Sequence, residues 1–100
     1  MSKVIFSVQY EINNNKRDDY LAVVRELKNL LKAEGLENYS VFEIKNKPNH
    51  FHEMFTFSSF DAYEQFEDGQ NERINILINK INDFAQGHSA RYTLLNEVEI

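Results

Sequence analysis

The chain has 100 residues, which is room for one domain, and we expect residues 1–100 to form it. Eleven basic against sixteen acidic residues give a formal net charge of −5, which argues against nucleic-acid binding because that function needs a basic face. The absence of cysteine excludes disulfides, thiolate nucleophiles and cysteine-ligated zinc. We expect a cytoplasmic protein outside the membrane, since neither an N-terminal signal segment nor a run of about 18 apolar residues is present.

A strand and an amphipathic helix open the chain. Apolar side chains fall at every second position of residues 4–12, which predicts a β-strand. Between Tyr20 and Leu31 they recur at steps of three and four, which predicts a helix. We expect Asn15 to cap this helix, because its side chain can accept hydrogen bonds from backbone N–H groups, and Gly35 to end it at the C′ position.

A β-hairpin is predicted next. Residues 39–46 and 51–58 both alternate, and the turn Lys47-Pro48-Asn49 separates them, so the two strands should pair in antiparallel fashion. On the second of these strands the alternation places Glu53 on the face of the phenylalanines and Met54 on the opposite face.

Two helical segments and a strand complete the chain. A helix is predicted to begin after a capping serine at 58–59 and to be interrupted at Asp68-Gly69. A second apolar stripe at helical spacing starts near Asn71 and is predicted to close at Gly87. The last strand is predicted over residues 92–100.

These elements follow the order β-α-β-β-α-β, the arrangement of the ferredoxin-like α+β fold, in which both helices cover one face of an antiparallel sheet. The opposite face is also apolar at several positions, among them Ile5, Met54 and Leu95. Because a sheet face open to water should be more polar, we expect a second copy of the chain to cover it and thus form a homodimer.

The stretch from Lys47 to Tyr63 resembles the antibiotic-biosynthesis-monooxygenase family, which often has a proline turn, a strand with Phe and Glu, and a short helix with an Ala. The order of elements over nearly the whole chain and the interrupted second helix agree with this resemblance. It implies a dimeric α/β barrel. It also implies a cofactor-independent monooxygenase that acts on a small electron-rich aromatic compound or quinol.

Two positions depart from the pattern of that family. Phe55 stands where many members have Trp, and Phe66 stands where many have His. The chain has no Trp at all, which disfavours heme oxygenation of the kind carried out by relatives with a Trp, His and Asn set. The departures keep a second function open, that of a non-catalytic homodimeric module that binds a small ligand or another protein.

Glu53 and His52 are the candidate catalytic bases for chemistry of this kind. Burial among the phenylalanines would raise the pKa of Glu53 and suit it to general acid–base catalysis. The alternative is that Glu53 forms a structural ion pair, either across the dimer interface or with Arg91. The candidate substrate-binding residues, which are alternatively ordinary core residues, are Tyr10, Tyr63, Arg91 and Tyr92.

His50 and His52 form a His-x-His pair, to which Glu53 or His88 could add a further metal ligand. A regular strand points Glu53 away from His52, however, so we predict no metal site. The resemblance in addition implies no organic cofactor.

Overall fold

The structure is a computed structural model that describes residues 2–68 and 72–100, with the backbone alone at 67 and 68. Its described residues form four β-strands, three α-helices and a short 3-10 turn. In chain order the elements are β1 Val4–Glu11, the 3-10 turn Asn14–Lys16, α1 Arg17–Leu30, β2 Leu36–Glu43, β3 His50–Phe57, α2 Phe60–Asp68, α3 Glu72–Phe84 and β4 Arg91–Asn96. None of the described helices combines the length and the apolar character that crossing a membrane requires.

The four strands pair into one antiparallel sheet in the order β2-β3-β1-β4. Strands β3 and β1 are therefore central, and β2 and β4 are the edges. The predicted ferredoxin-like α+β fold is confirmed, and the second helical region is divided into α2 and α3. The predicted interruption at Gly69 and the helix start near Asn71 lie outside the described residues.

One face of the sheet packs against the helices and forms the hydrophobic core. The sheet residues buried there include Val4, Val8, Tyr10, Phe51, Phe55 and Phe57. The helices contribute apolar stripes that include Tyr20, Leu27, Ile74, Leu77 and Ile81. Because strand side chains alternate, the intervening residues of β1 and β3 lie on the opposite face, which we call the second face.

Edge strand β4 is shorter than its alternation predicts. The expected strand runs from Tyr92 to Ile100, but pairing with β1 ends at Asn96, and both Val98 and Ile100 are exposed. The first hairpin strand is likewise displaced from the predicted residues 39–46 toward the N-terminus. An edge strand is paired on one side only, so an alternating pattern by itself does not determine where the pairing stops.

Three residues predicted to delimit helices do not do so. Asn15 lies inside the 3-10 turn, and the N-cap position of α1 is held by Lys16, whose side chain has no acceptor atom. Gly35 is left-handed, with φ of 85°, but it belongs to the turn before β2 because α1 has already ended. After α3 the left-handed residue is His88, with φ of 63°, and not Gly87.

The start of α2 packs tightly against this turn. Ser59 caps α2 as predicted, since the backbone N–H of Ala62 donates to its Oγ at 3.1 Å. The backbone N–H of Ser58 donates to the carbonyl oxygen of Gly35 at 2.8 Å. A Cβ added to Gly35 would collide with the Cβ of Ala62, so the junction requires glycine for space as well as for conformation.

An arginine at the start of α1 fixes the turn between β2 and β3. Arg17 donates two hydrogen bonds to the carboxylate of Glu43, at 2.6 and 3.0 Å, and one to Oδ1 of Asn49 at 3.0 Å. Its guanidinium lies 5.4 Å from the ring centre of Phe51. The guanidinium and the backbone N–H of Asn49 lower the pKa of Glu43 to about 2. These contacts anchor the first residues of β3 and hence the position of those that follow.

The substitution Gly35→Ala should lower the free energy of unfolding by at least about 2 kcal/mol, because left-handed strain and overpacking against Ala62 act together. Gly87→Ala is the matched control, since no described atom lies within 4 Å of an added Cβ there. Its effect should stay below about 1 kcal/mol. Urea denaturation measures both variants, and equal losses of stability would contradict this account of Gly35.

Candidate active site

Glu53 lies at the centre of the sheet, on the face that the helices cover. It belongs to β3 and pairs with Val8 of β1 and Val41 of β2. Only 6% of its surface is exposed, and the alternating residues on either side of it, Phe51 and Phe55, are buried as well. The predicted position of this carboxyl among phenylalanines is confirmed.

Tyrosine hydroxyls surround the carboxyl. Tyr39 of β2, itself 5% exposed, donates its hydroxyl to Oε2 of Glu53 at 2.5 Å. The hydroxyl of Tyr10 on β1 also helps to lower the pKa of the carboxyl, and it shares a hydrogen bond of 2.9 Å with the hydroxyl of Tyr20 on α1. Tyrosines from three different elements thus form a buried polar network around one acid.

Burial dominates the electrostatics of this network. Loss of solvation raises the pKa of Glu53 to about 7, although hydrogen bonds from Tyr39 and Tyr10 lower it. The carboxyl therefore exchanges between its protonated and ionised forms near neutral pH. Burial also raises the pKa values of Tyr10, Tyr20 and Tyr39, so these hydroxyls keep their protons in that range.

A cavity of about 260 Å³ lies beside Glu53, between the sheet and helices α2 and α3. Its apolar walls are formed by Phe6, Val8, Phe55, Phe66, Ile78 and Ile81. Its polar lining consists of Tyr10, Glu53, Asn82 and Tyr92. The volume is slightly below the usual range of about 300–1,000 Å³ for drug-sized ligands, so the cavity suits a small molecule.

The cavity has a closed end and an open end. Glu53 and Tyr10 are buried and form the closed end, whereas Tyr92 is 61% exposed and Asn82 is exposed at the mouth. The mouth lies at β4 because the helices leave that edge strand uncovered. A flat neutral molecule that enters can present a hydroxyl group to the carboxyl. No cationic side chain is present in the described lining, so the cavity does not favour an anion.

The structure brings together three of the six predicted site residues. Glu53, Tyr10 and Tyr92 line the cavity. Tyr63 stands apart from the lining and packs its ring against other aromatic rings, including that of Phe6 at 5.7 Å.

The remaining two, His52 and Arg91, lie on the second face. His52 pairs with Gln9, which in turn pairs with Arg91. Consecutive strand residues point to opposite faces, so neither His52 nor Arg91 can share a face with its neighbour in the cavity. The alternative of a Glu53–Arg91 ion pair is wrong for the same reason, and the carboxyl is bonded to Tyr39 instead.

Sequence reasoning did not identify Tyr39, Tyr20 or Asn82 as site residues. Tyr20 belongs to the apolar stripe predicted for the first helix and Tyr39 to the predicted strand 39–46, and the structure buries both side chains. Nothing in their spacing shows that the hydroxyl of Tyr39 meets the carboxyl or that the hydroxyl of Tyr20 meets that of Tyr10, because these contacts depend on which strands and helices become neighbours. Asn82 follows Ile81 on α3, and the only available signal was a polar residue beside the apolar stripe.

The histidine pair lies away from the cavity. Nε2 of His50 is 3.6 Å from Oε1 of Glu11, and Nδ1 of His52 is 3.4 Å from Nε2 of Gln9. Among the side chains that the structure describes, those of residues 2–66 and 72–100, no three of His, Cys, Asp or Glu are grouped so that they could hold a metal ion. The geometry therefore favours Glu53, and not the histidines, as the functional group of the cavity.

No family model matches the chain, and no curated protein matches it. Several solved structures, however, match the chain. A crystal structure of an antibiotic biosynthesis monooxygenase is 25% identical, with a TM-score of 0.77, and the match covers 99% of this chain and 100% of that one.

Two further structures align almost as completely at lower identity. SnoaB, a cofactor-independent oxygenase from Streptomyces nogalater, is 9% identical with a TM-score of 0.80, over 98% of this chain and 95% of that one. A protein from Bacteroides thetaiotaomicron described as a possible oxidoreductase is 18% identical with a TM-score of 0.80, over 96% and 98%. The resemblance predicted from the sequence is confirmed: the chain has the ferredoxin-like fold of the antibiotic biosynthesis monooxygenase-like proteins.

Proposed function

We propose that the protein is a cofactor-independent oxygenase that acts on a small, neutral, hydroxylated aromatic compound such as a hydroquinone. The observation that carries the proposal is the buried carboxyl of Glu53 at the closed end of an apolar cavity. A carboxyl whose pKa is raised to about 7 serves as a proton acceptor and donor near neutral pH. The 25% identical monooxygenase and the oxygenase SnoaB support the same reaction class.

In this mechanism the ionised carboxyl of Glu53 accepts the proton of a ring hydroxyl, which leaves an electron-rich phenolate in the cavity. The walls formed by phenylalanine and isoleucine side chains keep water from this anion. Molecular oxygen is the oxidant and the substrate the only reductant. One oxygen atom enters the ring and the other leaves as water, so a hydroquinone and O2 give a hydroxyquinone and water. Glu53 returns its proton as the water forms.

The second candidate function is a non-catalytic module that binds a small aromatic ligand. Phe55 and Phe66 line the cavity at the two positions where many members of the resembled family have Trp and His. Their rings, 5.9 Å apart between centroids, make this wall wholly apolar. Oxygen uptake across a panel of hydroquinones distinguishes the two functions, since a binding module retains a ligand in native mass spectrometry but consumes no oxygen.

We also propose that the partner is a second copy of the chain, with the second faces of the two sheets packed together. Ile5 pairs with Leu95 and with Thr56, and Ser7 pairs with Met54, so apolar and small side chains run across the middle of that face. Leu95 is 45% exposed in the single chain. A two-fold axis through this face buries the same apolar strip on both copies. No nucleic acid or membrane is part of the proposal.

The substitution Glu53→Gln should lower kcat for oxygen uptake by roughly 10²–10⁴-fold, because the amide keeps the shape of the side chain but cannot take a proton. The dissociation constant of the hydroquinone should change little. For the wild type, kcat should rise with pH as Glu53 ionises around pH 7. Measurement with an oxygen electrode between pH 5 and 9 tests both points, and an active Glu53→Gln enzyme would exclude Glu53 as the base.

The pH dependence of the free energy of unfolding should reveal the raised pKa of Glu53 without any substrate. The pKa of Glu53 is raised in the folded state to about 7 from its ordinary value of 4.5, so the folded state holds a proton that the unfolded state loses between these values. The free energy of unfolding therefore falls as pH rises from about 4.5 to above 7, by up to about 3 kcal/mol.

In Glu53→Gln this decrease should be absent. Urea denaturation at pH 5 and pH 8 measures it, with Glu64→Gln, which alters an exposed glutamate on α2, as the control. Parallel pH profiles for the wild type and Glu53→Gln would show that the carboxyl is solvated and not buried.

Placing a charge on the second face should separate the two copies. Met54→Lys should raise the dimer dissociation constant at least about tenfold, which corresponds to about 1.4 kcal/mol. Ile76→Lys is the control, because Ile76 is an exposed apolar residue of α3. Light scattering at micromolar concentration gives the mass, and a wild-type monomer of 11.8 kDa would overturn the dimer.

A further inference from the structure

Tyr39 contacts the proposed base although it is absent from the described lining of the cavity. Its hydroxyl donates to Oε2 of Glu53 at 2.5 Å. Tyr39 is on β2 and Glu53 is on β3, so the hydrogen bond crosses from the edge strand to the central strand. A ligand in the cavity therefore reaches Glu53 without displacing Tyr39.

We infer that Tyr39 is a positioning residue for Glu53: its hydrogen bond to Oε2 fixes the orientation of the carboxyl and favours the ionised form that accepts the substrate proton. The inference rests on the proposed function for its catalytic consequence, but the hydrogen bond and its effect on Glu53 can be measured without it.

The surroundings of Tyr39 leave its ring little freedom. The residue is 5% exposed, and its ring centre lies 4.8 Å from that of Phe55. The ammonium group of Lys28 donates to the backbone carbonyl of Tyr39 at 2.8 Å and so ties this part of β2 to α1. A hydroxyl on a buried ring that packs against Phe55 is a fixed donor, which costs little reorganisation when the carboxyl ionises.

The groups that face Glu53 from the other elements do not replace this donor. The hydroxyl of Tyr10 on β1 is engaged in a hydrogen bond of 2.9 Å with the hydroxyl of Tyr20 on α1. Asn82 of α3 and Tyr92 of β4 lie at the exposed mouth, and α2 presents Phe66. No charged group faces the carboxyl from the described lining. Tyr39 is therefore the donor committed to Glu53, and its loss should disfavour the ionised form.

The test is the variant Tyr39→Phe, which removes one buried hydroxyl and keeps the ring. The matched control is Tyr20→Phe, which removes a hydroxyl of the same network that bonds to Tyr10 and not to Glu53. Carbon-13 NMR of the side-chain carboxyl follows the titration of Glu53 in each protein. We expect Tyr39→Phe to raise the pKa of Glu53 by about one pH unit and Tyr20→Phe not to raise it.

In oxygen-uptake assays the acid limb of the pH profile should move upward by the same amount in Tyr39→Phe, with KM unchanged. In a Glu53→Gln background, Tyr39→Phe should have no effect on any residual pH profile. An unchanged pKa of Glu53 in Tyr39→Phe, or an equal rise in Tyr20→Phe, would overturn the inference.

If Tyr39→Phe fails to fold, a measurement on the unmodified protein tests whether Tyr39 positions the carboxyl of Glu53. The chemical shift of the ring carbon that bears the Tyr39 hydroxyl should change with pH at the same midpoint as that of the Glu53 carboxyl. A Tyr39 chemical shift that stays constant through this titration would refute the inference. If the wild type consumes no oxygen, the proposed function fails. The two NMR titrations still decide whether Tyr39 governs the carboxyl.

Discussion

Burial of the Glu53 carboxyl in the middle of an aromatic core is the interaction on which the site depends. An ionised carboxylate loses several kcal/mol of hydration in such a place unless donors replace the water. Here the donors are tyrosine hydroxyls, with Tyr39 at 2.5 Å and Tyr10 also in contact. They do not fully offset the loss, and so the pKa of Glu53 rises to about 7. The incomplete compensation is what makes the group useful as an acid and base near neutral pH.

The cavity follows from the way in which one layer of helices meets a four-stranded sheet. α1, α2 and α3 cover β2, β3 and β1, but edge strand β4 is left uncovered, and its side chains are exposed along its whole length. The division of the second helix into α2 and α3 lets Phe66 and Ile78 approach the sheet from different segments. Ligand access is therefore a consequence of topology, because the uncovered edge strand forms one side of the mouth.

Strand alternation separates the proposed site from the proposed dimer interface. Glu53 and Met54 are neighbours in β3 but point to opposite faces, the first into the cavity and the second into the proposed dimer interface. The mouth at Tyr92 opens on the helix side of the sheet, so two copies joined by their second faces leave it accessible. The two proposals thus use opposite faces of one strand, and none of residues 50–57 is fully exposed even in the single chain.

The sequence by itself determined the order of the elements, the ferredoxin-like fold and the placement of Glu53 with the phenylalanines, because these follow from the two-residue and 3.6-residue periods of local structure. The two-residue period of a strand already places His52 on the face opposite Glu53, and Arg91 on the face opposite Tyr92, so neither can line the cavity. Only the tertiary structure decided that Tyr39 and Tyr10 are the partners of the carboxyl and that Ala62 packs on Gly35. Those contacts join residues distant in the chain, and they depend on strand order and register, which no local pattern encodes.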